Sequence, residues 1–339
     1  MRAAVFQGPN DIAVCDVPDP VPGPTEVVIR VAACGICGTD LRIAEGQYHA
    51  RYPLIPGHEF CGEVVALGSD IGYLSVGQRV SVNPNNPCRR CAYCLRGKFH
   101  LCEASTACGV TYDGAFAELC KVPAHLALKL PEADLPMEHW ALMEPVSCCL
   151  HGVDVAGIVP GDSVVILGGG SIGLILLQLV RLSGSSCIVV SEPSAAKRAL
   201  AVQLGADYAL DPLALGADFP RAVHDLTRGG ADVVIEAAGL SATASAALQL
   251  TRRGGTVLFF GVCPPDLQIP FNPHDVFHHE LTIRGSYTNP LTDSRALSLL
   301  GSGRVQVGPL ITHRFPLPEL PAALDAIRRG ETVKALVIP

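Results

Sequence analysis

Four cysteines crowd one short stretch of the chain: Cys88, Cys91, Cys94 and Cys102, spaced C-x2-C-x2-C-x7-C. Four thiolates so close in sequence match the ligand demand of one tetrahedral zinc ion. The loop around them is rich in Pro, Asn and Arg from Asn83 to Lys98 and has no apolar period. Such a loop cannot order itself by burying a core, so it needs a metal. A bacterial iron–sulfur run does not fit, because the last spacing is too long and no Pro follows Cys102.

Cys37, His58, Glu59 and Glu144 form a second, scattered set of zinc-ligating residue types. A catalytic zinc takes three protein ligands and keeps one position open, and Cys, His and a carboxylate meet that need. Taken singly, each has a plainer reading: Cys37 as a small buried side chain, His58 as a core histidine, Glu144 as a helix-start carboxylate. The combination gains weight beside a third motif. Gly168-Gly169-Gly170-Ser171-Ile172-Gly173 reads G-x-G-x-x-G between a buried-strand run, Val164 to Leu167, and an apolar helix. Gly168 permits a tight turn, Gly170 lets a pyrophosphate approach the backbone, and Gly173 allows close helix–strand packing. Ser171 and Ile172 open the helix whose N-terminal N–H groups would face the phosphates. Glu192, about 20 residues on, ends the next strand, as expected for an acid that accepts from ribose hydroxyls. A carboxylate there repels a 2′-phosphate, which favours NAD over NADP. Arg198 lies near enough to bear on that choice but reads as a solvated helix residue, and Val262 is a further candidate cofactor contact.

These residues need elements to hold them. The first part reads as β-rich, with β-branched runs at Ala3 to Phe6, Glu26 to Ala33, Glu63 to Leu67 and Arg79 to Val82 between Pro and Gly clusters. From about Val153 strand-like and helical runs alternate: Ser163 to Leu167, Ile172 to Leu182, Ser186 to Ser191 and Ala195 to Leu204. Ala206 to Leu210, Val233 to Glu236, Thr256 to Phe260 and Leu281 to Gly285 continue the set, which argues for βαβ units on a parallel sheet. Helical runs near Leu297 to Gly301 and Leu320 to Arg329, and a strand from Lys334 to Ile338, close the sequence.

With these motifs in that order, the chain resembles the zinc-containing medium-chain alcohol dehydrogenase family. The segment Gly57-His58-Glu59-x2-Gly62-x5-Gly68-x2-Ile71 carries the resemblance, followed by the four-cysteine lobe and the glycine motif. The third catalytic ligand of that family matches Glu144 here; glutamate in place of cysteine, within Glu144-Pro145-Val146-Ser147-Cys148-Cys149-Leu150-His151-Gly152, is similar to the sorbitol, threonine and butanediol dehydrogenase branch. In that branch Glu59 ligates with Glu144 holding a water, or the two exchange, so both stay open as ligands.

The resemblance implies an α/β fold. A GroES-like β-rich catalytic domain spans 1–152 and 287–339, with the zinc lobe at about 83–105, and a Rossmann doubly wound parallel-sheet NAD domain spans 153–286. It places the active site in the cleft between the domains. It also implies one catalytic and one structural zinc, NAD as cofactor, and oxidation of a secondary alcohol, polyol or cyclitol, the zinc acting as Lewis acid on the alcohol oxygen and the nicotinamide taking the hydride. A threonine-type amino alcohol is the alternative substrate. Thr39 would accept the hydroxyl proton, or else cap the following helix, and Asp40 would orient His58. Where many relatives carry a relay histidine this chain has Arg42, with His49 as a stand-in and Tyr48 lining the cleft. Cys148 and Cys149 would pack against the apolar helix rather than ligate. Thr256 to Val262 and Phe271 to Gly285 are candidate interface strands for a homodimer or homotetramer.

Composition sets outer bounds. With 339 residues, 49% apolar and 17% charged, the chain suits a two-domain, well-buried globular enzyme. A net charge of −7 opposes a nucleic-acid partner and with it the rival reading of a zinc-ribbon interaction module. A zinc-free quinone-reductase-type chain would lack both cysteine lobe and ligand set. No signal-like or membrane-spanning run is apparent, and 14 cysteines without a signal point to a reducing compartment, the cytoplasm.

Overall fold

The computed structural model describes residues 1–48 and 50–339; the proposed stand-in His49 lies outside them. The chain divides into two compact units, Met1–Ser147 with Pro290–Pro339, and Cys148–Asn289.

In the first unit, β1 (Arg2–Gly8) and β2 (Asp11–Asp16) form a hairpin. The long strand β3 (Glu26–Gly35) leads through helix α1 (Gly38–Ala44) to β4 (Glu59–Leu67) and β5 (Arg79–Val82). β6 (Asn85–Asn86) and β7 (Thr106–Ala107) pair across the base of the cysteine loop. β8 (Leu119–Pro123) and β9 (Ala127–Lys129) follow, and then helix α2 (Met143–Ala156), inside which the unit boundary falls. The sequence reading missed β2, and it missed the Glu59–Gly62 half of β4, where Gly62 interrupts the β-branched run.

The second unit reads as the alternation predicted. β10 (Ser163–Leu167) is buried at every position and feeds α3 (Ser171–Leu182). β11 (Cys187–Ser191), α4 (Ala195–Gln203) and β12 (Tyr208–Leu210) extend the sheet to one side. β13 (Ala231–Glu236), β14 (Thr251–Phe259) and β15 (Thr282–Gly285) extend it to the other. All pairs are parallel, in the order β12-β11-β10-β13-β14-β15. The chain order therefore reverses between β10 and β13, the place where open parallel sheets bind ligands at their carboxyl ends. β14 is paired on both sides, with Val257 and Leu258 buried, so Thr256 to Phe259 has no free edge to offer a partner; β15 is the sheet edge.

The chain then returns to the first unit. β16 (Ile311–Pro316) and β17 (Lys334–Ile338) complete a mixed sheet in the order β16-β17-β3-β4-β5-β9, with β8 also on β3. β17 lies antiparallel beside β3, pairing Leu336 with Gly35, while Gly35 faces Glu59 of β4 on its other side. The core of this unit gathers Phe6, Ile29, Phe60, Phe116, Leu320 and Val337, each under 2% exposed. These apolar faces, removed from water, fix the strand ends that carry the ligand-type residues.

Candidate catalytic metal centre and dinucleotide site

Where β3 ends, the chain turns into α1 through Cys37, whose backbone is extended and serves as the helix N-cap. Asp40, in the first turn and fully buried, faces back: its Oδ2 accepts the Cys37 amide at 2.8 Å, and its Oδ1 accepts the Gly57 amide at 3.3 Å. The same Oδ1 lies 3.3 Å from His58 Nδ1. One carboxylate thus ties together the two segments that deliver Cys37 and His58. Gly57 has φ +93°, and a Cβ there would press on Phe116 and the Cys34 sulfur, so the turn before His58 requires glycine.

The ligand atoms of Cys37, His58 and Glu59 lie within 4.8 Å of one another. This donor set suits zinc: a thiol, an imidazole whose Nδ1 lies beside the Asp40 carboxylate while Nε2 remains for a cation, and a carboxylate. Burial opposes a charged His58, but the charges of Asp40 and Cys37 outweigh it and hold its pKa well above the usual value. Glu59 is 2% exposed and ion-paired through Oε2 to Lys334, itself 4% exposed. Glu144 is buried in the first turn of α2 and lies outside the 4.8 Å trio. Thr39 and Arg42 are half-buried on α1, and Tyr48 is exposed. Lys334 was not anticipated from sequence; the only hint is a lysine opening the run Lys334-Ala335-Leu336-Val337, which is buried throughout.

Cys88, Cys91, Cys94 and Cys102 also gather within 4.8 Å, on two short 3-10 turns, Cys94–Arg96 and Phe99–Leu101, and their flanks. The Cys88 amide donates to Cys102 Sγ at 3.2 Å. The backbone N–H groups of Cys94 and Glu103 pull the Cys91 thiol down to about 6, whereas burial and the neighbouring thiols push Cys94 up to about 12. A ring of four sulfurs with backbone N–H groups aimed at it fits a closed, structural zinc site.

At the end of β10, Gly168 has φ +115° and Gly170 caps α3. A Cβ on Gly173 would collide with Gly168 O, whereas one on Gly170 would meet nothing within 4 Å. The first crowding explains the glycine by packing; the second leaves a cradle beside the helix N-terminus of the kind a pyrophosphate fills. Glu192 folds over this loop, its Oε2 accepting from Gly169 N at 2.8 Å and its Oε1 from Ser194 N at 2.9 Å. Arg198 is not solvated as expected: its guanidinium sits 3.0 Å from Asp211 and donates to the carbonyls of Glu192 and Pro193. Cys149 packs under α3, its sulfur 3.8 Å from Ile172 O, and Cys148 is half-buried. Val262 is exposed beyond β14.

Comparison with known proteins gives the family. An alcohol dehydrogenase GroES-like domain matches residues 23–132, and a zinc-binding dehydrogenase domain matches 171–300. The chain belongs to the zinc-containing medium-chain alcohol dehydrogenase family. Within the family, this dehydrogenase is 34% identical to D-arabinitol dehydrogenase 1 of Uromyces fabae over 342 residues, covering 100% of the chain and 97% of the relative. It is 37% identical to L-threonine 3-dehydrogenase of Pyrococcus furiosus over 329 residues, 95% of the chain and 93% of the relative. Its fold matches a zinc-binding dehydrogenase from Sinorhizobium meliloti 1021 bound to NADP, with TM-score 0.95, 39% identity and coverage of 100% and 99% of the two chains. The GroES-like and Rossmann reading of the fold, and an oxidoreductase acting on CH–OH donors with zinc and a nicotinamide cofactor, follow from this membership.

Proposed function

We propose that this dehydrogenase oxidises a polyol or related secondary alcohol with NAD, using Cys37, His58 and Glu59 to hold the catalytic zinc. The observation that carries the reading is the Cys37, His58 and Glu59 trio within 4.8 Å, braced by Asp40. It favours Glu59 over Glu144 as the third ligand. Cys88, Cys91, Cys94 and Cys102 hold the structural zinc.

Zinc, when bound, supplies Lewis-acid polarisation of the alcohol oxygen, and the nicotinamide accepts the hydride. The chain's own residues do the rest. Asp40 Oδ1, 3.3 Å from Nδ1, faces the His58 ring and favours its orientation in the site. The Thr39 hydroxyl, on the first turn of α1, takes the proton from the substrate hydroxyl and passes it outward. The α3 N-terminus receives the pyrophosphate over Gly170, and Glu192 receives the ribose hydroxyls. Glu192 supports NAD because its charge opposes a 2′-phosphate, and Arg198, tied to Asp211, is committed elsewhere. The Sinorhizobium relative was bound to NADP, which makes NADP the second reading.

Polyols are favoured by the likeness to an arabinitol dehydrogenase, and a hydroxy amino acid is the second substrate reading on the likeness to a threonine dehydrogenase. We further place the enzyme in the cytoplasm as a homo-oligomer, with the β15 edge, where Ile283 is exposed, as its interface; no helix among the described residues is long and apolar enough to cross a membrane. The test is cofactor reduction across polyols, cyclitols, diols and hydroxy amino acids with NAD and NADP in parallel. Turnover of polyols with NAD supports the proposal; activity confined to hydroxy amino acids, or to NADP, overturns the corresponding part.

A further inference from the structure

Behind the trio of ligand-type residues sits a cation that belongs to the protein. Lys334 opens β17 and is 4% exposed. Its Nζ is ion-paired with Glu59 Oε2 and donates to the Ile36 carbonyl at 3.0 Å, one residue before Cys37. The pair fits only because position 35 is glycine: a Cβ there would collide with Glu59 Oε2 and come within 2.9 Å of Lys334 Cε. Gly35 lies between them in the sheet, opposite Glu59 on β4 and opposite Leu336 on β17. Three strands therefore converge on a buried salt bridge that includes one member of the metal trio, Glu59.

A buried ammonium beside a cation site is electrostatically costly, since like charges in a low-dielectric interior repel strongly. A carboxylate, for its part, can give a zinc ion one oxygen or close over it with both. A catalytic zinc must keep a position open. We propose that Lys334 is a positioning residue that restrains Glu59, holding one carboxylate oxygen so that only the other is offered to the cation and the substrate position stays free. The inference rests on the reading that Cys37, His58 and Glu59 hold zinc.

Removing the ammonium acts twice in one direction. It deletes a positive charge beside the cation, and it leaves Glu59 Oε2 buried with no counter-charge except the metal. Both raise metal affinity, and the second closes the open position. In the full chain loaded with zinc, Lys334→Gln, which keeps a donor for Ile36 O, is expected to bind the catalytic zinc about tenfold more tightly in chelator competition. The cobalt-substituted variant should lose visible absorption intensity as the ion gains a ligand. The KM for the alcohol should rise while the KM for the nicotinamide cofactor stays unchanged, a split that simple loosening of the sheet would not give. Lys334→Arg, which keeps the positive charge, should return the zinc affinity and the spectrum to those of the parent. Unchanged or weakened zinc binding in Lys334→Gln, or an identical change when Glu59→Gln is also present, overturns the proposal. Should Lys334→Gln fail to fold, the pair Lys334→Met with Glu59→Gln, which removes both charges, gives the reading: a rise in metal affinity over Glu59→Gln alone that stays well below tenfold, the share of charge deletion by itself, supports restraint through Glu59, and a rise of tenfold or more overturns it. Cys37→Ser separates the two layers. If that variant keeps both zinc equivalents, the metal assignment itself fails, whatever Lys334 does.

Discussion

Asp40 and His58 come from different segments, yet Asp40 Oδ1 stands 3.3 Å from His58 Nδ1 while its other oxygen holds the Cys37 amide. A single buried carboxylate thereby sets the position of one ligand-type residue and the ring orientation of another. Partners of this kind tune metal affinity nearly as strongly as the ligands themselves. Asp40→Asn can still accept from the Cys37 amide but loses its charge toward His58. The expected outcome is catalytic-site zinc affinity lower by roughly 10–100-fold, measured by chelator titration, with the four-cysteine zinc retained. Full zinc retention in Asp40→Asn would refute the role.

The two cysteine sets should fail in different ways. Cys37→Ser removes a ligand from a site whose walls are already held by β3, β4 and Asp40, so turnover should vanish while the melting temperature changes little. Cys94→Ser opens a loop with only short 3-10 turns and a two-residue strand pair to hold it. A structural zinc contributes folding energy directly, so this variant should melt markedly lower and lose one zinc equivalent. Equal melting losses in the two variants would contradict the division.

Thr39 carries the proton step. Thr39→Val keeps shape and removes the hydroxyl, and general acid–base groups contribute about 10²–10⁴-fold. Turnover at neutral pH should fall at least a hundredfold, with Thr39→Ser near the parent rate. A valine variant with undiminished kcat would show that the proton leaves by another path.

Asp232 offers a pH test away from the metal centres. Burial raises its pKa, but hydrogen bonds from Ser163 N at 2.8 Å and Ser163 Oγ at 2.7 Å, with Arg252 at 2.7 Å, lower it by more. A depressed folded pKa adds stability above the unfolded value near 3.9, and that contribution is lost as pH falls through the folded value. Asp232→Asn should therefore lose roughly 1–3 kcal/mol at pH 7 and show a flatter decline than the parent below about pH 4. Parallel melting curves for the two proteins down to pH 3 would rule this out.

Much of this architecture was legible because it is local. The β10–α3 junction announces itself through an apolar run, a glycine triplet and an apolar helix, all contiguous in sequence. The cysteine lobe is equally compact. What stayed hidden is non-local or lacks contrast. The helices Phe219–Thr227 and Ser241–Leu250 were passed over; the second is mostly Ala, Ser and Thr, and has little apolar periodicity to read. The half of β4 that begins at Glu59 breaks its period at Gly62, which is there because a Cβ would strike Arg30 O on the neighbouring strand. Lys334 gave no more than a faint signal, a lysine opening an apolar run. Its meaning appears only when β17 is laid against β3, and that pairing joins the far ends of the sequence. The choice between Glu59 and Glu144 was likewise a matter of distance, which spacing does not encode.

The returning strand β17 also dictates an order of assembly. Residues 148–289 form a contiguous unit and leave the ribosome before Lys334 does. The nucleotide-binding half can fold early, since contiguous domains fold as units during synthesis. The other half must wait, with Cys37, His58 and Glu59 already translated but the third strand of their scaffold still missing. Until then the pocket is half made, and no ammonium stands beside Glu59.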